Sequence, residues 1–217
     1  MFKKWFGKKE TPIVKDLAPE IMGLRIGGAF ELDSLKLRLI EPKLIIEGAA
    51  TTHLIQAVGV VKLDDTTTVL RYYTDDDAFI QVLLEGGMTE NHISDVKLWY
   101  FYDTQSISSQ SQWDRILDSG ISQSEIQLEG NHYQPVWQNA EGAIAAPVAM
   151  TEKTYAEDGS NCETDQFCML YERQIQEDMF EYVMYFGEEK ILENRADRCL
   201  VKTTGFDLQP ADIDIIG

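Results

Sequence analysis

No stretch of the 217 residues approaches the roughly 20 consecutive apolar positions that carry a helix across a bilayer. The lysine-bearing start of the chain also lacks the apolar core of roughly 7–15 residues that marks a signal peptide, so the expected location is the cytoplasm. Cysteine is scarce: Cys162, Cys168 and Cys199 make an odd number, and in a reducing compartment they are expected as free thiols rather than a disulfide framework. Basic residues are scarce too. With 19 Lys and Arg against 37 Asp and Glu the formal net charge is −18, a field that repels phosphate backbones and excludes nucleic acid as a partner of the body.

The local signatures of metal, nucleotide and nucleophile chemistry are missing as well. His53, His92 and His132 stand far apart with no Cys-x-x-Cys or His-Glu-x-x-His beside them, which gives zinc little support. Gly23, Gly27 and Gly28 run as G-x-x-x-G-G without a following Gly-Lys-Ser/Thr, a pattern for a structural turn rather than a phosphate loop. Asp75, Asp76 and Asp77 match no EF-hand and read as a solvated turn. The serine-rich 106–114 stretch has no Gly-x-Ser-x-Gly elbow. Carboxylates are too numerous to single out a catalytic pair, so no catalytic residue, metal ligand or cofactor is assigned, and the expectation leans away from an enzyme.

What is there reads mostly as strand. Hydrophobic residues at 44% suffice for a sizeable core, and no repeat or low-complexity linker divides the chain, so residues 19–217 are expected as one strand-rich domain behind a tail over residues 1–18. Asp33 is placed to cap a short helix through Leu35, Leu39 and Ile40 that Pro42 stops, although the alternation of Leu35, Leu37 and Leu39 would suit a strand equally. Beyond it LIIEG, THLIQAVGVVKL, TTVLRYYT and AFIQVLLEGG predict an antiparallel meander, turning at Asp64–Asp65 and at Asp75–Asp77. In DVKLWYFYD apolar residues occupy both faces, which predicts a central strand covered on both sides. SQWDRILDSG predicts a second short helix closed by Gly120, and six further strand-like segments follow, from EIQLEG to RCLVKTTGFDL. The expected fold class is therefore α+β, mostly antiparallel sheet with a few short helices.

Charge is unevenly distributed. Residues 1–15 carry five lysines and one glutamate, a formal +4, leaving −22 on the remainder. In MFKKWFGKK, Phe2, Trp5 and Phe6 fall at i, i+3 and i+4 on one helical face, with Lys3, Lys4 and Lys8 off it and Lys9 returning to the apolar side. So short a helix does not stand alone in water, so the tail is expected to be flexible. Against an anionic bilayer each lysine contributes about 1 kcal/mol, and each buried aromatic about 1.5–3 kcal/mol before ordering costs. The ten residues from Glu10 to Pro19 reach roughly 33 Å when extended, well past the physiological screening length of about 8 Å, so the acidic body does not prevent the tail from docking. Phe2, Lys3, Lys4, Trp5, Phe6, Lys8 and Lys9 are thus the candidate membrane- or partner-binding residues.

The strings PEIMGLRIGGAFELD, RYYTDDDAFIQVL, WYFYDTQSISSQSQWDRIL, FCMLYER and GFDLQPADIDIIG, in this order from about Pro19 to Gly217, resemble the YjfK-like family of uncharacterised bacterial proteins. The resemblance implies no established activity and supplies no catalytic residues. It implies genomic company with a homologue of phage shock protein A, a membrane-associated coat protein, and hence a role at the inner face of the cytoplasmic membrane. The resulting expectation is a non-catalytic accessory or adaptor, peripheral at that face, whose partner is an anionic membrane surface or such a coat protein. The alternative is a small-molecule-binding protein or enzyme with a cleft between sheets, its rings drawn from Tyr72, Tyr73, Trp99 to Tyr102, Tyr182, Tyr185 and Phe186; core packing is the simpler account of those rings.

Overall fold

The computed structural model describes residues 17–139, 142–193 and 195–216. The candidate binding residues Phe2, Lys3, Lys4, Trp5, Phe6, Lys8 and Lys9 lie outside the described residues.

The chain runs β1 (Ala29–Leu32), α1 (Ser34–Ile40), β2 (Thr52–Lys62), β3 (Thr67–Thr74), β4 (Ala78–Glu85), β5 (Ile93–Ser106), α2 (Gln110–Arg115), β6 (Ile126–Leu128), β7 (Asn131–Pro135), β8 (Val148–Ala156), β9 (Asn161–Gln176), β10 (Met179–Leu192), β11 (Arg195–Asp207) and β12 (Ile213–Ile216). The antiparallel strands are as expected, but the α+β label is corrected to nearly all β. The α-helices are only seven and six residues long, the second continued by a π turn over Ile116–Gly120.

Local chemistry accounts for most of these elements. Asp33 caps α1, its Oδ1 accepting from the backbone N–H groups of Leu35 at 2.8 Å and Lys36 at 3.3 Å. Leu37 and Ile40 face the core, whereas Leu35 and Leu39 point outward. LIIEG is not a strand. Ile45 N–H goes to Glu181 Oε1 at 2.6 Å, Gly48 N–H to the Glu41 carboxylate and Leu44 N–H back to the Glu41 carbonyl, so these donors are not free for a ladder. In β5 both faces are buried through Tyr100, but Phe101 and Tyr102 are each 40% exposed, so the expected double cover stops there.

Eight strands close on themselves. The ladder runs β2-β3-β4-β5-β11-β10-β9, and β8 pairs with both β9 and β2 to complete an all-antiparallel barrel. Eight strands leave an interior just wide enough for side chains, and this one is filled by Phe79, Trp99, Tyr182, Met184, Phe186 and Val201. The outer wall is apolar on two sides, each covered by the chain itself. Residues 18–46 with Leu208 and Ile213 lie over β2–β5, and α2 with β6 and β7 lies over β9–β11. The intervening β2–β8 wall presents Lys62, Thr151, Lys153 and Glu163 around Val60 and Tyr155. Among the described residues no helix is long and apolar enough to cross a membrane.

Candidate functional site

The barrel interior is not wholly apolar. From β3, Arg71 points inward, 2% exposed, between the rings of Phe186 and Phe79, whose centroids lie 4.9 and 5.8 Å from its guanidinium carbon. Its Nη1 donates to Glu152 Oε2 of β8 at 2.9 Å and to Gln166 Oε1 of β9 at 2.7 Å, and its Nε to Gln81 Oε1 of β4 at 3.1 Å. Gln166 Nε2 donates to Glu152 Oε2 at 2.7 Å and to Glu188 Oε1 at 3.0 Å. Tyr73 OH donates to Glu152 Oε1 at 2.7 Å.

Space for the Glu152 carboxylate comes from Gly59 on β2, where any side chain would collide with it. Burial is the largest influence on Arg71 and works against its charge, but Glu152 together with Tyr73 and Cys168 outweighs it and raises the Arg71 pKa. Glu188 faces one cation shared with another carboxylate. Burial first and then Glu152 push its pKa up, partly offset by Arg71 and by the Cys199 Sγ–H at 3.6 Å. Cys168 faces the same interior and burial pushes its thiol up to about 12, the opposite of an activated thiolate. These contacts tie five strands, β3, β4, β8, β9 and β10, together through the barrel interior.

A second charged group sits at one mouth of the barrel. Lys97 Nζ bridges Asp95 Oδ1 and Asp207 Oδ1, each at 2.7 Å, and lies 4.5 Å above the Tyr182 ring. A cleft of about 530 Å³ opens beside it, lined by Glu90, Asp95, Asp178, Asp207 and Gln209 among others. Lys97 answers Asp95 and Asp207, while Met22, Ile93, Val96, Leu208 and Pro210 supply the apolar part of the lining.

A third cluster fastens the cover to the barrel. Glu181, 1% exposed, accepts from Arg173 Nε and Tyr133 OH, both at 2.7 Å, while Arg173 Nη2 donates to the Lys43 carbonyl at 2.7 Å.

The other residues singled out in the sequence have structural roles. Gly23 and Gly27 take positive φ of 78° and 73° in turns, and Gly27 N–H donates to the Ile55 carbonyl. Asp75 and Asp76 accept from the backbone N–H groups of Leu54 and Ala50 at 2.9 and 3.2 Å. His53 is buried against Phe30 and bonds the Ala50 carbonyl, His92 bonds Thr89, and His132 pairs with Glu125 at the surface. Cys162, Cys168 and Cys199 are free thiols. Tyr72, Trp99, Tyr182, Tyr185 and Phe186 are core rings. Among the described residues no group of three or more His, Cys, Asp or Glu could hold a metal ion. Sequence reading missed the Arg71–Glu152–Gln166–Glu188 cluster, whose one visible trace is the charged residue inside the apolar run TTVLRYYT.

Fold and interior together define a class: an eight-stranded antiparallel barrel with a buried ion pair and two self-supplied covers. The family model described as "Protein of unknown function (DUF2491)" matches residues 1–214, and the chain belongs to that family. It is similar to the uncharacterized protein YjfK of Escherichia coli (strain K12), with 28% identity over 218 residues covering 100% of this chain and 98% of that protein. No solved structure matches.

Proposed function

We propose that the protein is a non-catalytic accessory or adaptor at the inner face of the cytoplasmic membrane, held there by its basic aromatic N-terminus. The observation that carries this reading is the separation of charge along the chain, +4 over residues 1–15 and −22 beyond, with Phe2, Trp5 and Phe6 interleaved among the lysines. The barrel supports the non-catalytic half. Its perturbed interior groups are tied to one another rather than turned toward a cleft, unlike an acid–base pair poised for chemistry. A helical membrane-coat protein of the phage-shock-protein-A kind would present either a lipid-bound neighbour or a direct receptor for the same aromatic face.

Co-sedimentation with vesicles containing phosphatidylglycerol, against phosphatidylcholine alone, tests the reading at low and physiological salt. The full chain binds the anionic vesicles, salt weakens the binding, and removal of residues 1–14 lowers it at least tenfold. Equal recovery of the full chain with and without anionic vesicles at low salt overturns lipid docking.

A further inference from the structure

We infer that an acidic cleft beside Leu17 binds the chain's own basic aromatic N-terminus, seating Phe2, Trp5 and Phe6 against the barrel when no other surface takes them. The inference stands without the membrane reading. It adds to that reading a resting place that competes with lipid for the same three rings.

Leu17, Ala18 and Ile26 meet Tyr155 and Ala156 at the end of β8 across a cleft of about 470 Å³. A second cleft of about 630 Å³ adjoins it, sharing Ala156 and Glu157 and continuing to Leu54 and Ile55 of β2. Leu17 stands 74% exposed and Leu54 44%, while Ile26, Tyr155 and Ala156 are half-buried, so apolar surface remains uncovered along the whole strip.

The strip is also acidic. Glu20 and Glu157 line the first cleft and Asp158 the second, all three exposed. Asp75 adjoins its far end, where it accepts from the Leu54 N–H at 2.9 Å. Among the described residues no basic side chain lines either cleft. Arg25, next to Ile26 in the chain, and Lys153, 5.1 Å above the Tyr155 ring, stand at the margins, so four carboxylates face two cations. Such a surface repels anionic lipid and complements residues 1–15, with their formal +4. A second barrel would bring the same acidic strip to the contact and meet like charge.

Connectivity favours the chain's own N-terminus over a separate basic peptide. The cleft begins at Leu17, eleven positions after Phe6, and eleven residues span roughly 36 Å when extended. Gly7 and Pro12 fall between them, residue types that let a chain reverse. A short tether supplies an effective concentration on the order of 1 mM, so an affinity of about 0.1 mM for the untethered peptide keeps the cleft filled about nine-tenths of the time.

Trypsin cleavage at Lys8 and Lys9 of the full chain, followed by mass spectrometry and set against a synthetic peptide of residues 1–15, reads the docking without lipid. At low salt the native chain should be cut about tenfold more slowly than the peptide, at a rate independent of protein concentration, and added salt should narrow the gap. Glu20→Gln/Glu157→Gln removes charge from the strip, and Leu17→Ser/Leu54→Ser removes its two most exposed apolar side chains. Both variants should melt with the native chain and be cut at close to the peptide rate. A native chain cut within twofold of the peptide overturns the inference, and so does native-level protection in both variants. Protection that grows with protein concentration, together with dimers in sedimentation velocity, also overturns it by assigning the cleft to the N-terminus of a second copy. Each of these outcomes leaves the vesicle test of the membrane reading unaffected.

Discussion

A Cβ on Gly59 would stand 1.6 Å from Oε1 of Glu152, so β2 and β8 can meet only where one residue has no side chain and the other fills its place. Glu152 cannot retreat, because Tyr73 holds the same oxygen and Arg71 holds the other. Gly59→Ala is therefore expected to destabilise the fold by about 3 kcal/mol or more, combining overpacking with disruption of the ion pair. Urea unfolding followed by tryptophan fluorescence reads the loss; a shift in midpoint worth less than about 1 kcal/mol would contradict this packing.

The buried pair makes an asymmetric prediction. Arg71→Met leaves Glu152 charged inside the barrel and should cost about 3–5 kcal/mol, whereas Arg71→Met/Glu152→Met removes both charges and should regain most of that loss. If the double variant is no more stable than the single one, the cluster is held together by something other than the pairing of those two charges.

Glu188 titrates in the direction set by its surroundings. Burial and the Glu152 carboxylate raise its pKa above 4.5 in the folded chain, so the native state binds this proton more tightly than the unfolded state. Its favourable contribution is complete below the unfolded value and is lost as pH rises through the folded one. Glu188→Gln keeps the acceptor for Gln166 and Cys199 without the charge. It should raise stability at neutral pH by roughly 1 kcal/mol, with the advantage shrinking toward pH 4.5. Chemical denaturation of both proteins from pH 5 to 8 measures it, and a constant difference across that range would refute the assignment.

His53 works the other way. Burial against Phe30 lowers its pKa from 6.5, outweighing the Asp76 carboxylate, the bond to the Ala50 carbonyl and the more distant Asp75. The unfolded state then binds the extra proton, so stability is intact above about pH 6.5 and falls as pH drops below it. One such proton accounts for at most about 1.3 kcal/mol between pH 7 and 5.5. His53→Gln should flatten the slope in that window; melting temperatures that decline equally in both proteins would place the acid sensitivity elsewhere.

Much of the local structure was legible in the sequence because its causes are local. The Asp33 cap and the Pro42 stop bound α1, the Trp113 and Ile116 spacing marks α2, and the turns at Asp64–Asp65 and Asp75–Asp77 separate strands whose composition announces them. The segment LIIEG misled for a physical reason: strand-forming side chains cannot make a strand when Glu181 and Glu41 occupy the backbone donors. β1 and β12 were too short to carry an alternation, and they exist because each pairs with the other and β1 with β2.

By itself the sequence determined strand content, the charge separation, the second short helix and the absence of local motifs, since each depends on neighbours within a few residues. Barrel closure was decided by tertiary structure, because β8 had to find β2 across some ninety residues as well as β9 beside it. So was the interior cluster. Arg71, Glu152, Gln166 and Glu188 come from four strands, and a charge in a strand run reads the same whether it faces water or a partner 2.9 Å away. The outward face of α1 also waited on the fold, since its period shows leucines all around, and only packing over the β2–β5 wall determines which of them meet the core and which meet solvent.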